Sequence, residues 1–114
     1  MKKFALLLLL LTGILHIVEA PEYYAEVQYI GVLFVLNFLG ALLGCFWIYK
    51  DKAIGWHLGM LISVLSVIAF VLSRSVGLPF FMGEIGEWSD ESAIFSAITE
   101  VLFLVPYVWF VRKA

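Results

Sequence analysis

Four side chains stand where an apolar solvent penalises them: His16, Asn37, His57 and Glu100 each fall inside a run of otherwise apolar residues. A carboxyl and an imidazole so placed suit ion binding or proton relay, since both exchange protons and both face cations well. In lipid such groups are retained where they meet other polar groups or a ligand. Ser92, Ser96 and Glu100 recur every four residues with Thr99 beside them, which draws a polar stripe down one helical face. Thr12, His16 and Glu19 draw a second stripe. Arg74, whose planar guanidinium pairs with carboxylates, ends a further apolar run. His16, Glu22, Asn37, Arg74 and Glu100 are therefore expected to line one outward-opening polar pocket that binds or passes an ion, a proton or a small polar ligand. For each of them the plain alternative is a hydrogen-bond network that only fixes helix register.

The metal-ligand candidates are His16, Glu19 and Glu22, although the chain has no His-x-x-x-His, Cys-x-x-Cys or Glu-x-x-His pair, and no cofactor is assigned. A haem held by His16 and His57 of one chain conflicts with their depths. The two lie roughly 20 Å apart along the membrane normal, against about 4 Å for two axial nitrogens. His57 follows Trp56 close to a membrane face, where a histidine costs little. No nucleophile–base constellation is visible, so an enzyme is not expected.

The elements that must position these groups follow from composition. Of the 114 residues, 64% are hydrophobic and 14% charged, with a mean hydropathy of +1.06. A soluble domain this small leaves about a third of its surface uncovered and needs far more charge, so soluble enzymes and nucleic-acid binders are excluded. Cys45 is the single cysteine and permits no internal disulfide. Segments 4–19, 28–49, 53–73 and 91–111 are each of the length and apolarity that a spanning helix requires. The fold class expected is all-α: one integral membrane domain, residues 1–114, an antiparallel up-down four-helix bundle with an outer loop over 74–90.

Charge placement orients it. Lys2, Lys3, Lys50, Lys52, Arg112 and Lys113 fall on one side of a four-span chain and only Arg74 on the other, together with seven of the nine acids. Both termini and the 50–52 turn are thus expected in the cytoplasm, in the plasma membrane of a prokaryote. The first segment also has the outline of a signal peptide, with Lys2-Lys3, a leucine run and Val18-Glu19-Ala20. Pro21 just after that cut, and His16 and Glu19 before it, disfavour cleavage, so the segment is expected to stay as a span. Asn37 and Glu100 then both lie roughly 12 Å below the outer boundary, and His16 roughly 4–5 Å below it.

Local signals refine the boundaries. Pro21 with Glu22 after it suits the start of the second helix, and Ser89 with Asp90 and Glu91 suits the start of the fourth. Trp47, Tyr49, Trp56, Trp88 and Trp109 fall near the faces, as an aromatic belt would. Gly40 and Gly44, and Gly55 and Gly59, form two small-x-x-x-small pairs expected to pack the second and third helices together; Ser63 and Ser66 continue that stripe. Pro106 is expected to bend the fourth helix. Phe80, Phe81, Met82 and Ile85, set among Gly77, Pro79, Gly83 and Gly86, make the outer loop apolar enough to fold back as a lid or to dock a partner.

Ser73-Arg74-Ser75-Val76-Gly77-Leu78-Pro79, with His16 and Pro21-Glu22 upstream and Glu100 downstream, resembles a group of small multi-spanning prokaryotic membrane proteins. Those carry a histidine shortly before a Pro-Glu pair and a Ser-Arg-Thr-x-Gly-Leu-Pro segment after the third helix. Here Ser75 stands in place of the threonine, and Tyr23 in place of a histidine after Pro-Glu. The resemblance groups His16, Glu22, Arg74, Pro79 and Glu100 and implies no activity. Two other roles stay open besides the pocket: an accessory subunit of a larger membrane complex, and a haem or quinone electron carrier. Partners expected are the lipid bilayer and a membrane-protein partner or second copy, and no nucleic acid.

Overall fold

A computed structural model describes residues 1–77, 86, 88 and 91–113, the side chain of Ser92 excepted. The described residues form α1 (Lys2–Glu26), α2 (Gln28–Tyr49), α3 (Ala53–Ser75), α4 (Glu91–Leu102) and α5 (Leu104–Lys113). α4 and α5 together make one apolar span over Ala93–Lys113, so four helical spans are long and apolar enough to cross a membrane. The protein is a multi-pass, all-helical membrane bundle, 42 × 21 × 21 Å in extent. Leu7, Leu36, Leu65 and Val101, one on each span, are more than half exposed, as lipid-facing side chains would be.

The α4–α5 break has a simple cause. Pro106 has no N–H to offer the carbonyl of Leu102, one turn back. Phe103 N still bonds Thr99 O (3.1 Å) and Tyr107 N bonds Phe103 O (3.1 Å), so the span stays continuous through Phe103. That ring is buried, and a Cβ on Gly59 of α3 would lie 2.7 Å from its Cζ.

The first boundary differs from the sequence expectation. Pro21 neither ends α1 nor begins α2; it lies inside α1, which runs on to Glu26. Membrane helices tolerate an interior proline when nearby groups cover the freed carbonyl. The reversal occurs instead at the single residue Val27, extended at φ −143° and ψ 113°. Its N–H closes α1 on Tyr23 O (2.8 Å), and its carbonyl accepts from Ile30 N (3.0 Å) and Gly31 N (3.3 Å) to open α2. So tight a reversal brings Gly31 against the Tyr24 backbone, leaving no room for a Cβ. The expected 20–27 loop is therefore helix plus one hinge residue.

The second reversal is the short hairpin expected. Asp51 adopts φ 59°, a left-handed conformation that short polar side chains accept. Asp51 N and Lys52 N bond Ile48 O (2.9 Å) and Trp47 O (2.8 Å), capping α2. Lys2 Nζ meets Asp51 Oδ1 at 3.1 Å, and Trp56 stacks on Phe110 at 4.7 Å between centroids. Lys2 of α1, the 50–52 turn and Phe110 of α5 consequently lie at one end of the bundle. Trp56 is buried there, at 4% exposure, inside a cluster with Leu8, Leu9, Ile48 and Phe103. It is thus a core residue and not part of an aromatic belt, because its ring fills the α3–α5 seam.

Gly40, Gly44, Gly55 and Gly59 all face helices of the same chain. A Cβ on Gly55 would lie 2.6 Å from Ile48 N and 2.8 Å from Gly44 O, and one on Gly40 would lie 2.7 Å from Ile62 Cδ1. α1 joins α2 in the same way, with a Cβ on Gly13 falling 2.9 Å from Ala41 Cβ. Cys45 packs beside this core and points its Sγ at Leu6 O (3.7 Å).

Candidate functional site

The half of the bundle away from the termini holds a cavity of about 340 Å³ bounded by α1, α2, α3 and α4. His16, Asn37, Arg74 and Glu100, which the sequence singles out, all line it, as does Glu19. Glu22 does not: it is exposed and lies outside the cavity. With α1 unbroken at Pro21, Glu22 is six residues beyond His16 and so rotated about 120° from it around the helix.

A polar layer crosses all four spans at the cavity floor. Asn37 Nδ2 on α2 donates to Ser66 Oγ on α3 at 2.6 Å. The Ser66 side chain also interacts with the Glu100 carboxyl on α4, and Ser96 Oγ donates to Glu100 Oε1 at 3.3 Å. Thr99 Oγ1 donates to Ser96 O at 2.7 Å, which leaves Thr12 of α1 as the donor in the 2.6 Å Thr12–Thr99 hydroxyl contact. His16 Nδ1 lies 2.8 Å from Thr12 O and must donate to it, since a carbonyl only accepts. The neutral ring then presents Nε2 as an acceptor. Phe34 packs on the His16 ring at 4.9 Å and on Tyr23 at 4.6 Å.

Two atoms of this layer are left over. Asn37 Oδ1 and Glu100 Oε2 are buried and have no hydrogen-bond partner among the described residues. An amide oxygen accepts, as does a carboxyl oxygen when ionised, and leaving such an acceptor buried and unmatched costs about 1–3 kcal/mol.

Arg74 lines the cavity at a distance from the polar layer. It lies eight residues beyond Ser66 on α3, about 12 Å further along the axis. Its Nη1 donates to Ser73 Oγ at 2.8 Å and its guanidinium lies 4.9 Å from the Phe70 ring centre. Arg74, Ser73, Tyr23 and Ile30, all buried, close the cavity at this end of the bundle. The lining side chains that are exposed are Leu33 and Leu36 on α2 and Leu65 and Ala69 on α3. The cavity therefore has an exposed, apolar side at the α2–α3 seam.

Among the described residues no three His, Cys, Asp or Glu side chains gather as a metal site, so His16, Glu19 and Glu22 do not form one. His57 lies in the other half of the bundle, bonded to Tyr107 Oη at 3.0 Å, which removes the one-chain bis-histidine haem. The apolar lid residues Phe80, Phe81, Met82 and Ile85, and the Ser89 cap, lie outside the described residues, as does Pro79. Gly86 and Trp88 are described: Gly86 N bonds Arg74 O (2.7 Å) and Trp88 packs edge-on against Phe70 at 5.7 Å. No protein-family model, curated protein sequence or solved structure matches the chain.

Ser66 is the site residue that sequence reasoning assigned to packing alone. A signal for it exists: Gly59, Ser66 and Ser73 recur every seven residues, placing all three on one face of α3.

Proposed function

We propose that this chain is a small multi-pass membrane protein whose cavity binds or passes a cation, a proton or a small polar ligand that donates hydrogen bonds. The observation that carries this reading is the pair of buried, unpartnered acceptors, Asn37 Oδ1 and Glu100 Oε2, on facing walls of one cavity. Glu100 is the anchor, Asn37 and His16 supply neutral acceptor atoms, and the serines hold the carboxyl in place. With the basic residues turned to the cytoplasm, as in a prokaryotic plasma membrane, the cavity occupies the outer half of the bilayer.

Thermal unfolding of the purified chain in detergent, with sodium, potassium or ammonium chloride at constant ionic strength, tests it. One of these cations raises the melting temperature of the wild type, since a ligand bound only by the folded state stabilises it. Glu100→Gln, folded by circular dichroism, loses that dependence. A wild type indifferent to all three cations, or a Glu100→Gln variant that responds like the wild type, overturns the proposal.

A further inference from the structure

We infer that the cavity takes its ligand from the bilayer: a lipid-soluble primary amine whose ammonium head sits at Asn37 and Glu100 and whose hydrocarbon chain leaves between α2 and α3. This rests on the cavity reading above and names the ligand class for it.

Size comes first. About 340 Å³ is some tenfold more than the roughly 30 Å³ share of a water molecule and falls in the range of organic-ligand sites. A bare ion or proton leaves most of that volume unused. Much of the remaining wall is hydrocarbon, from Leu33, Phe34, Leu36, Ile62, Leu65 and Phe70. Leu33, Leu36 and Leu65 are each more than half exposed while lining the cavity, so the same side chains face the interior and the surrounding acyl chains. Tyr23, Ile30, Ser73 and Arg74 are buried where an axial entrance would be. The exposed side of the cavity among the described residues is lateral and apolar.

The head group follows from the floor. Asn37 Oδ1 and, when the carboxyl is ionised, Glu100 Oε2 are unpartnered acceptors, and a neutral His16 ring adds Nε2 as a third. An ammonium offers three N–H groups and the charge that complements a carboxylate. The Phe34 ring, packed on His16, adds a face suited to a cation. A carboxylate or phosphate head would set acceptors against acceptors. A quaternary ammonium keeps the charge and loses every N–H.

Photolabelling of the full chain in phosphatidylcholine nanodiscs tests this, with a decylamine bearing a mid-chain diazirine. Labelling is expected to saturate at one probe per chain, with adducts confined to segments 33–36 and 65–69. Decylamine is expected to compete at least about tenfold better than decanol, decanoate or decyltrimethylammonium, as loss of a charge-assisted hydrogen bond implies. Leu65→Trp, a change at an exposed lining side chain that leaves Asn37, Ser66 and Glu100 in place, is expected to abolish saturable labelling while the circular dichroism spectrum is retained. Adducts spread over all lipid-facing helices, equal competition by decanol or decanoate, or wild-type labelling of Leu65→Trp each overturn the inference. Water-soluble butylamine competing as well as decylamine overturns the bilayer as the source. If labelling fails while the cation-dependent melting still requires Glu100, this inference falls and the cavity reading stands; if both fail, both fall.

Discussion

Near the 50–52 turn α2 and α3 meet backbone to backbone, whereas seven residues further along, about 10 Å, side chains hold the same two helices apart. At Gly55 a methyl group would overlap Ile48 N and Gly44 O. At the next level Asn37 and Ser66 bridge the gap with a 2.6 Å hydrogen bond, and beyond them the seam opens into the cavity. One pair of helices thus carries a dry contact zone and a hollow one. In lipid no hydrophobic driving force brings helices together, so contact is set by how closely backbones can approach. Glycines supply that approach at the terminal end. At the other end larger side chains prevent it, and the polar layer that lines the resulting space retains two unmatched oxygens.

The contrast is broken most directly at the dry zone. Gly55→Val is expected to lower stability by about 3 kcal/mol, since the new atoms meet backbone and not a movable side-chain tip. Unfolding in dodecylmaltoside titrated with sodium dodecyl sulfate measures it. A loss below about 0.5 kcal/mol, the scatter of neutral surface changes, would mean that the glycine contact does not hold the hairpin.

Much of this division was readable beforehand, and the parts that were not have physical causes. The four spans follow from apolar length and from charges that only water accepts, and α2 runs from 28 to 49 as its flanking residues imply. The shared level of Asn37 and Glu100 follows from a fixed rise per residue, and the structure links the two through Ser66. Pro21 misled the first boundary because it resembles a helix start, while the chain reverses six residues later at Val27, where Gly31 makes the approach possible. Glu22 lies off the cavity because α1 continues as helix through Pro21. Ser66 was read as packing because a small residue in a small-residue stripe gives no sign of what it bonds. The exposed side of the cavity at the α2–α3 seam was not legible at all, since depth along a helix says nothing about which seam is exposed.

At the hollow zone the sharpest change is Glu100→Gln. Ligand binding is expected to fall at least about tenfold, while stability shifts by no more than about 1 kcal/mol, because the amide keeps its shape and its Ser96 contact. Binding isotherms and detergent unfolding on the same preparation separate the two effects. A stability loss with no change in binding would make the carboxyl a register element and dissolve the contrast.

Thr12→Val probes the wall shared by α1 and α4. It keeps the volume and removes the donor to Thr99 Oγ1, whose own proton remains on Ser96 O. Hydrogen bonds between membrane helices are worth about 0.6 kcal/mol on average, and a loss of that order is expected. A loss several times larger would show that the polar layer, and not the glycine contact, holds the bundle.

The smallest effect belongs to the Lys2–Asp51 ion pair. Lys2 Nζ and Asp51 Oδ1 approach to 3.1 Å, with the Asp51 side chain 79% exposed and that of Lys2 37% exposed. Water and salt screen such a pair, and holding two flexible side chains in place offsets most of what attraction remains. Lys2 also lies 5.5 Å from the Tyr49 ring centre, a contact that its replacement removes as well. Lys2→Ala is therefore expected to cost no more than about 0.5 kcal/mol in detergent unfolding, and less at high salt. A cost near that of Gly55→Val would place a structural charge lock at the terminal end, where the geometry points to backbone contact alone.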